Sequence, residues 1–300
     1  MVRTYSERMR SGFCSLVGRP NVGKSTLMNA MVGEKIAITT SVPQTTRHAI
    51  RGILHRDDLQ IVFTDTPGMH KPKTLLGTRL NDLARASLSS VDCVVFLVDG
   101  AEGVGRGDHF LARLFADVDT PVIAVVNKVD AFSRKRQLPV LERVAAMGDW
   151  AEVVPVSAVA GDNVDVLVDL IAARMPEGPA YFPAGQTTDQ TIEHRIAEVV
   201  REKAITLMRE EVPHSIAVVV DEITPGRRED VRVVSAHLFV ERETQKGIVI
   251  GHSGEVLKDI GARARPELEA LLGTRVYLDL RVKLSKEWQR DPKKLERLGY

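Results

Sequence analysis

Cysteine is scarce here, with two residues in 300. Both Cys14 and Cys93 lie in apolar, strand-like runs, where a reduced buried thiol is expected and a secreted disulfide framework is not. A reducing cytoplasm fits that usage. No stretch approaches eighteen uninterrupted apolar residues, which excludes a membrane-spanning helix, and Met1 to Ser11 mixes four charged residues without the apolar centre of a signal peptide. Net charge is also nearly absent: 41 Lys+Arg face 40 Asp+Glu, a formal +1. A chain-wide attraction to nucleic acid or to acidic surfaces is thereby excluded, so any such surface must be local. Three hundred residues suffice for two domains that each bury a core.

What is present begins with Gly18-Arg19-Pro20-Asn21-Val22-Gly23-Lys24-Ser25-Thr26, the pattern G-x-x-x-x-G-K followed by Ser or Thr. An apolar run from Phe13 to Val17 precedes it and Leu27 to Val32 follows, giving strand, loop and helix. In that context backbone N–H groups cradle phosphates at a helix N-terminus, Lys24 reaches the β- and γ-phosphates, and the Ser25 hydroxyl takes a place on Mg²⁺. Beyond it, Val/Ile-rich runs alternate with helical patterns, which predicts an α/β fold with helices on both faces of a parallel sheet. Ile61-Val62-Phe63, Val94 to Val98, Val122 to Val126 and Val153 to Val156 are the continuous apolar strands of such a sheet.

Functional residues of such folds gather where strands end. Asp65-Thr66-Pro67-Gly68, Asn127-Lys128-Val129-Asp130 and Ser157-Ala158-Val159 stand at three strand ends, in order after the phosphate loop. Asp65 can hold Mg²⁺ through a water, and the Gly68 N–H can meet the γ-phosphate because no side chain blocks the approach. The Asp130 carboxylate accepts only, which suits the paired N1–H and N2–H₂ donors of guanine and not adenine. Asn127 and Lys128 would brace the loop and cover the base, while the Ala158 N–H could donate to guanine O6. Between Ile38 and Arg51 the polar run Thr39 to His48 is placed as a nucleotide-sensing loop. A hydroxyl from Thr45 or Thr46 would be a further Mg²⁺ ligand, with Thr46 preferred, and Arg47 reads as a solvated loop charge.

The set GRPNVGKS, PQTTRH, DTPGMH, NKVD and SAV resembles the translation-factor-related GTPases, and PQTTRH with DTPG-x-H resembles the Era family in particular. Met69 occupies the position where Ras-like proteins carry a water-orienting Gln. The resemblance implies that Asn21 helps hold K⁺ beside the phosphates in place of an arginine finger. Asn21, Lys24, Thr46, Asp65 and Gly68 are then the expected catalytic set, with GTP and Mg²⁺ as ligands.

Three prolines and two glycines interrupt the pattern over Met175 to Gln186. We place a first domain at 1–178, a linker at 179–190 and a second domain at 191–300, with a helix from Ile192 to Val212 and strands from Ser215 to Ile223 and Val231 to Glu241. The stretch from Gly247 to Gly261 contains Gly251-His252-Ser253-Gly254, a tight joint that lets a nucleic-acid backbone approach an apolar groove. It resembles a bacterial, type II KH domain, and with ERETQKGIVIGHSGEVLKDIGARAR it resembles the Era C-terminal domain. Ile250, Gly251, His252, Ser253, Gly254, Lys258, Arg263, Arg265 and Lys283 are the expected RNA contacts. Arg281, Lys286, Arg290, Lys293 and Lys294 add charge nearby, offsetting the His-Ser pair that stands where the family usually has a cation.

The resemblance covers nearly the whole chain after the first ten residues. It implies a monomeric GTP-hydrolysing switch that binds the 3′ end of small-subunit ribosomal RNA and assists small-subunit maturation. A second expectation, a nucleotide-regulated membrane-surface or stress and cell-cycle signalling GTPase, rests on a basic amphipathic helix read from Leu284 to Leu298. The single phosphate loop excludes two nucleotide domains in tandem.

Overall fold

All seven residues of strand β4 (Cys93–Asp99) are buried. Alternate side chains leave opposite faces of a strand, so Cys93, Val95 and Leu97 feed one apolar cluster while Val94, Phe96 and Val98 feed another. A strand covered on both faces can belong only to the interior of a layered α/β sheet. The computed structural model describes residues 9–43, 45–68, 74–86, 91–116 and 118–300. Gln44, Met69 and His70 of the motifs lie outside the described residues, as does the segment 1–8.

The first unit is a six-stranded sheet in the order β2-β3-β1-β4-β5-β6. Besides β4 it contains β1 (Arg10–Gly18), β2 (Ile50–Arg56), β3 (Leu59–Asp65), β5 (Val122–Asn127) and β6 (Glu152–Pro155). β1 pairs in parallel with both β3 and β4, and β4, β5 and β6 continue in parallel. The chain therefore leaves β1 toward opposite sides of the sheet, and the crevice at its C-terminal edge is the place where such folds bind ligands. Helices α1 (Lys24–Val32), α3 (Arg106–Arg113), α4 (Arg134–Ala145) and α5 (Val164–Ala172) complete the unit, with α2 (Leu75–Ala86) from residue 79 onward. Among the described strands of this sheet only β2 is antiparallel, forming a hairpin with β3 across Asp57 and Asp58. Cys14 and Cys93, aligned on β1 and β4, are buried free thiols.

Of the linker expected at 179–190, residues 179–189 belong to this unit. Gln60 Oε1 accepts from the N–H groups of Tyr181 (2.7 Å) and Phe182 (3.0 Å), and Ile53 N–H donates to Thr187 O at 2.8 Å. The Thr188 hydroxyl donates to Arg51 O at 2.7 Å. Proline and glycine abolish periodicity here but leave backbone groups that the open edge of β2 can satisfy.

Among the described residues, the second unit gathers 190–300 with the short stretches 38–43, 45 and 74–78. It runs α6 (Ile192–Leu207), β7 (Ala217–Pro225), β8 (Val231–Val240), α7 (Glu243–Ile250), α8 (Glu255–Leu272), β9 (Arg275–Leu284) and α9 (Pro292–Arg297). β7 and β8 are antiparallel and β8 and β9 parallel, the arrangement of a type II KH domain. Ile196, Val200 and Ala204 on α6 and Ile260, Ala264 and Leu268 on α8 repeat every fourth residue and bury one stripe of each helix against the sheet.

Two expectations are corrected. The helix read from Leu284 to Leu298 does not form: Leu284 closes β9, Glu287 takes a left-handed φ of 51°, and Asp291 caps a six-residue α9 with Pro292 at its start. Trp288 is fully buried, its indole N–H donating to Ser215 O at 3.0 Å, so no continuous amphipathic face exists there. The helix expected to reach Val212 stops at Leu207. Among the described residues, no helix is long and apolar enough to cross a membrane.

Candidate nucleotide site and RNA-binding loop

At the C-terminal edge of the sheet, β1 ends on Gly18 and α1 begins at Lys24. Gly18 and Gly23 are there for space. A Cβ on Gly18 would lie 2.6 Å from Leu97 O, and one on Gly23, whose φ is +99°, would lie 2.3 Å from Asn127 Nδ2. Lys24 is buried and its Nζ donates to Gly18 O and Arg19 O, both at 3.1 Å. Burial pushes its ammonium down from 10.5 to about 8, against the opposing pull of Asp65. Asn21 is exposed with a φ of 64°, Val22 and Thr26 follow in the loop and first helical turn, and Pro20 meets the chain at Gly68.

Three hydroxyl and carboxylate groups converge beside Lys24. Ser25 Oγ donates to Asp65 Oδ2 at 2.6 Å, Thr46 Oγ1 donates to the same oxygen at 3.1 Å, and the two hydroxyls are 3.0 Å apart. Asp65 is fully buried, its carboxyl pushed up by desolvation, and its Oδ1 has no hydrogen-bond partner. A buried orphaned carboxylate oxygen amid hard oxygen donors fits Mg²⁺, which keeps several waters and takes one or two carboxylates. When bound, that ion would offset the negative charge of the phosphates. Thr45 is elsewhere: its Oγ1 bonds Thr40 Oγ1 at 2.6 Å and Val42 O at 2.8 Å. Thr66 and Pro67 are buried, the Thr66 hydroxyl donating to Leu16 O at 2.8 Å. Gly68 packs so closely that a Cβ there would lie 2.7 Å from Pro20 N. Arg47, expected in solvent, is only 4% exposed, on the short stretch between Thr46, tied to Asp65, and Ile50, which opens β2 opposite that same residue.

The base-side motifs meet around Asn127. Its Nδ2 donates to Val22 O at 2.8 Å and its Oδ1 accepts from Ala158 N–H at 3.1 Å, joining the phosphate loop to the loop after β6. The Ala158 N–H, expected to meet guanine O6, donates here to Asn127 Oδ1. Asp130 is exposed and its Oδ1 accepts from Ser157 Oγ at 2.6 Å, while Val159 is 81% exposed. Lys128, at φ 65°, pairs with Asp99 Oδ2 at 2.6 Å. Asp99 was missed in the sequence, as was fully buried Asp108, which holds Arg19 Nε at 2.9 Å. Asp99 stands at the end of β4, so the strand-end rule extended to that strand would have found it. Asp108 is the N3 residue of α3 and accepts from the Gly105 N–H at 2.8 Å, a local cap that does not name Arg19 as its second partner.

In the second unit, Gly251 and Gly254 join α7 to α8 through a short turn that includes Ser253 at φ 50°. A Cβ on Gly251 (φ +73°) would lie 2.4 Å from Val256 Cγ2, whereas one on Gly254 (φ +80°) meets nothing within 4 Å. The first glycine serves packing; the second leaves an open approach. Ile250 is half-buried and His252 exposed beside them. Lys258, Arg265 and Lys283 are exposed, whereas Arg263 is paired with Asp259 at 3.0 Å and Arg281 with Asp279 at 2.7 Å. Exposed pairs of this kind are worth little and can exchange partners readily.

Residues 13–128 match the family described as 50S ribosome-binding GTPase, and residues 211–289 match the KH domain. GTPase Era of Mycobacterium tuberculosis H37Rv is 52% identical over 295 residues, 97% of this chain and 98% of that protein. GTPase Era of Mycobacterium avium strain 104 is likewise 52% identical, covering 97% and 99%. A crystal structure of Era in complex with MgGDPNP and nucleotides 1506–1542 of 16S ribosomal RNA matches with a TM-score of 0.94 at 41% identity, over 97% of this chain and 99% of that one. A crystal structure of an Aquifex aeolicus Era variant bound to GDP.AlF4- matches with the same score, identity and coverage. A phosphate loop, a convergent oxygen set and a KH unit in one chain, with relatives of this similarity along their full length, place the chain in the Era family of GTPases.

Proposed function

We propose that this chain is a GTP-driven switch that binds the 3′ end of small-subunit ribosomal RNA and assists small-subunit assembly. The open approach at Gly254, between α7 and α8 of the KH unit, is the observation that carries it. The Era structure bound to 16S ribosomal RNA supports the ligand. Nucleotide contacts are assigned to Gly18 through Thr26, Asp65 through Gly68, Asn127, Lys128, Asp130 and Ser157 through Val159. Ser25, Thr46 and Asp65 would hold Mg²⁺. The RNA contacts are assigned to Ile250 through Gly254, with Lys258, Arg265 and Lys283 supplying charge and Arg263 released from Asp259. We place the chain in the cytoplasm, working as a monomer. The membrane-surface reading loses its support with the terminal helix that does not form.

Gly254→Asp tests the RNA reading, since a carboxylate placed in the approach path repels the phosphate backbone. With a single strand matching the 3′ end of small-subunit ribosomal RNA, titrated at two salt concentrations, the variant should bind at least about a hundredfold more weakly while GTP turnover persists. Parent-like binding by the variant, or equal binding of a scrambled strand by the parent, would reject it.

Asn21 is assigned to K⁺ beside the phosphates, where charge develops between the β and γ groups during hydrolysis. Turnover in K⁺ should exceed turnover in Na⁺ several-fold at equal ionic strength, about 1 kcal/mol of barrier. Equal rates, or an Asn21→Ala protein that K⁺ still stimulates, would count against the assignment.

A further inference from the structure

Helices α3 and α4 cover the same face of the six-stranded sheet. Leu111 and Ala112 of α3 and Val140 and Val144 of α4 enter one buried cluster over β4 and β5, and Arg143 Nη2 on α4 donates to Val104 O, two residues before α3, at 3.2 Å. To solvent the two helices present Arg106, Arg113, Arg134, Lys135, Arg136 and Arg143, all exposed, against one exposed carboxylate, Glu142. In a chain whose formal charge is +1, that is a local concentration of one sign.

Several exposed arginines elsewhere, Arg51, Arg56, Arg228 and Arg263, are each paired with a carboxylate. None of these six cations has a carboxylate partner among the described residues. Arg134, Lys135 and Arg136 fill the first turn of α4, where no acidic residue stands, and Arg106 opens α3. The positive end of a helix dipole disfavours cations, and neighbouring like charges repel, so this placement opposes folding. Arg136 lies over the Phe132 ring at 5.9 Å, which steadies its guanidinium at the surface. Five of the six are arginines, whose planar fork matches phosphate oxygens. The exposed rings, His109 and Phe110, are both on α3 and α4 carries none, so the surface lacks the stacking platform that a single strand needs. A duplex, held through its phosphates and its shape, needs no such platform.

We propose that the outer surface of α3 and α4 binds the phosphate backbone of double-stranded RNA, a second contact with ribosomal RNA that lies on the first unit. The proposal rests on the chain working on ribosomal RNA. Charge names the occupant: a duplex carries phosphates on both strands, and cations that displace its counterions bind it in a salt-dependent way that is indifferent to sequence. Such contacts fix position and orientation and leave base reading to the KH unit.

The test uses the full chain with a blunt RNA duplex, a single strand matching the 3′ end of small-subunit ribosomal RNA, and anionic phospholipid vesicles. The variants are Arg134→Glu with Lys135→Glu, Arg106→Glu with Arg113→Glu, and Gly254→Asp. Each double variant should bind the duplex at least about tenfold more weakly, with the slope of log affinity against log salt about two shallower, and hold the single strand within about twofold of the parent. Gly254→Asp should do the reverse, keeping the duplex and losing the single strand. Glutamate in the first turn of α4 suits the helix dipole, so the Arg134/Lys135 variant should melt no lower than the parent while binding less, which a structural role for these cations would not produce. If the Arg106/Arg113 variant fails to fold, the other carries the test. Parent-like duplex binding by the folded variants, or a parent that ignores the duplex yet holds the single strand, overturns the proposal and leaves the KH reading standing. A parent that holds neither RNA overturns both. Vesicle binding through these cations without duplex binding would give the surface to a membrane and reject the proposal.

Discussion

Asp130→Asn should weaken GTP binding about a hundredfold, close to 3 kcal/mol, and make xanthosine triphosphate the preferred ligand. The carboxylate is presented by a left-handed turn at Lys128 and steadied by the 2.6 Å bond from Ser157 Oγ, which itself accepts from Ala160 N–H at 2.9 Å. A carboxylate so fixed would meet the two N–H donors of guanine with acceptors only, and both bonds would be charge-assisted. Asparagine offers one acceptor and sets its NH₂ against a guanine donor, whereas xanthine presents an oxygen there. Asn127 braces the phosphate loop against the Ser157 loop independently, so the variant should keep its fold and its Mg²⁺ dependence. Competition of GTP, xanthosine triphosphate and ATP for the parent and the variant decides the matter. Retained GTP affinity in the variant, or equal ATP and GTP affinity in the parent, would refute the assignment of Asp130.

The parts of this architecture that were legible in the sequence are those in which one short pattern fixes both an element and its chemistry. Gly18 to Thr26 is strand end, loop and helix start at once, and a strand apolar at both parities, such as Val94 to Val98, has nowhere to lie but the middle of a covered sheet. Asp108 and Arg201 went unread for the opposite reason. Their partners Arg19 and Thr45 are 89 and 156 residues away, and no local pattern names those partners. Thr45 and Thr46 offer the same hydroxyl to a sequence reader; their partners separate them, Ser25 and Asp65 for Thr46, Thr40 and Val42 for Thr45. At the C-terminal end, the alternation in Arg275–Leu284 makes a strand, and the basic residues beyond it lost their apparent helix to a left-handed Glu287, a buried Trp288 and Pro292.

Lys24→Met should have two large and opposite effects, raising the stability of the nucleotide-free protein while removing nearly all affinity for GTP. In the folded chain the Lys24 ammonium titrates near 8, below the 10.5 of an unhindered lysine, because burial disfavours its charge. The folded form therefore binds fewer protons than the unfolded form between pH 8 and 10.5, so stability rises with pH across that window, and the full penalty is present below pH 8. At about 1.36 kcal/mol per pH unit of displacement the penalty is about 3 kcal/mol, offset by the two hydrogen bonds to Gly18 O and Arg19 O at about 1 kcal/mol each. A methionine removes both terms and packs in the same space, leaving a net gain of about 1 kcal/mol at pH 7, seen as a higher melting temperature for the first unit. The nucleotide reverses the balance. Its phosphates return the lysine to full charge, so in the parent GTP affinity should fall as pH rises above 8, and binding at about pH 9 should take up a proton. Calorimetric titration in two buffers of different ionisation enthalpy measures that uptake directly. No proton uptake at that pH, or a nucleotide-free Lys24→Met protein that melts well below the parent, would show that the buried ammonium is not held in the folded chain at a cost released by phosphate.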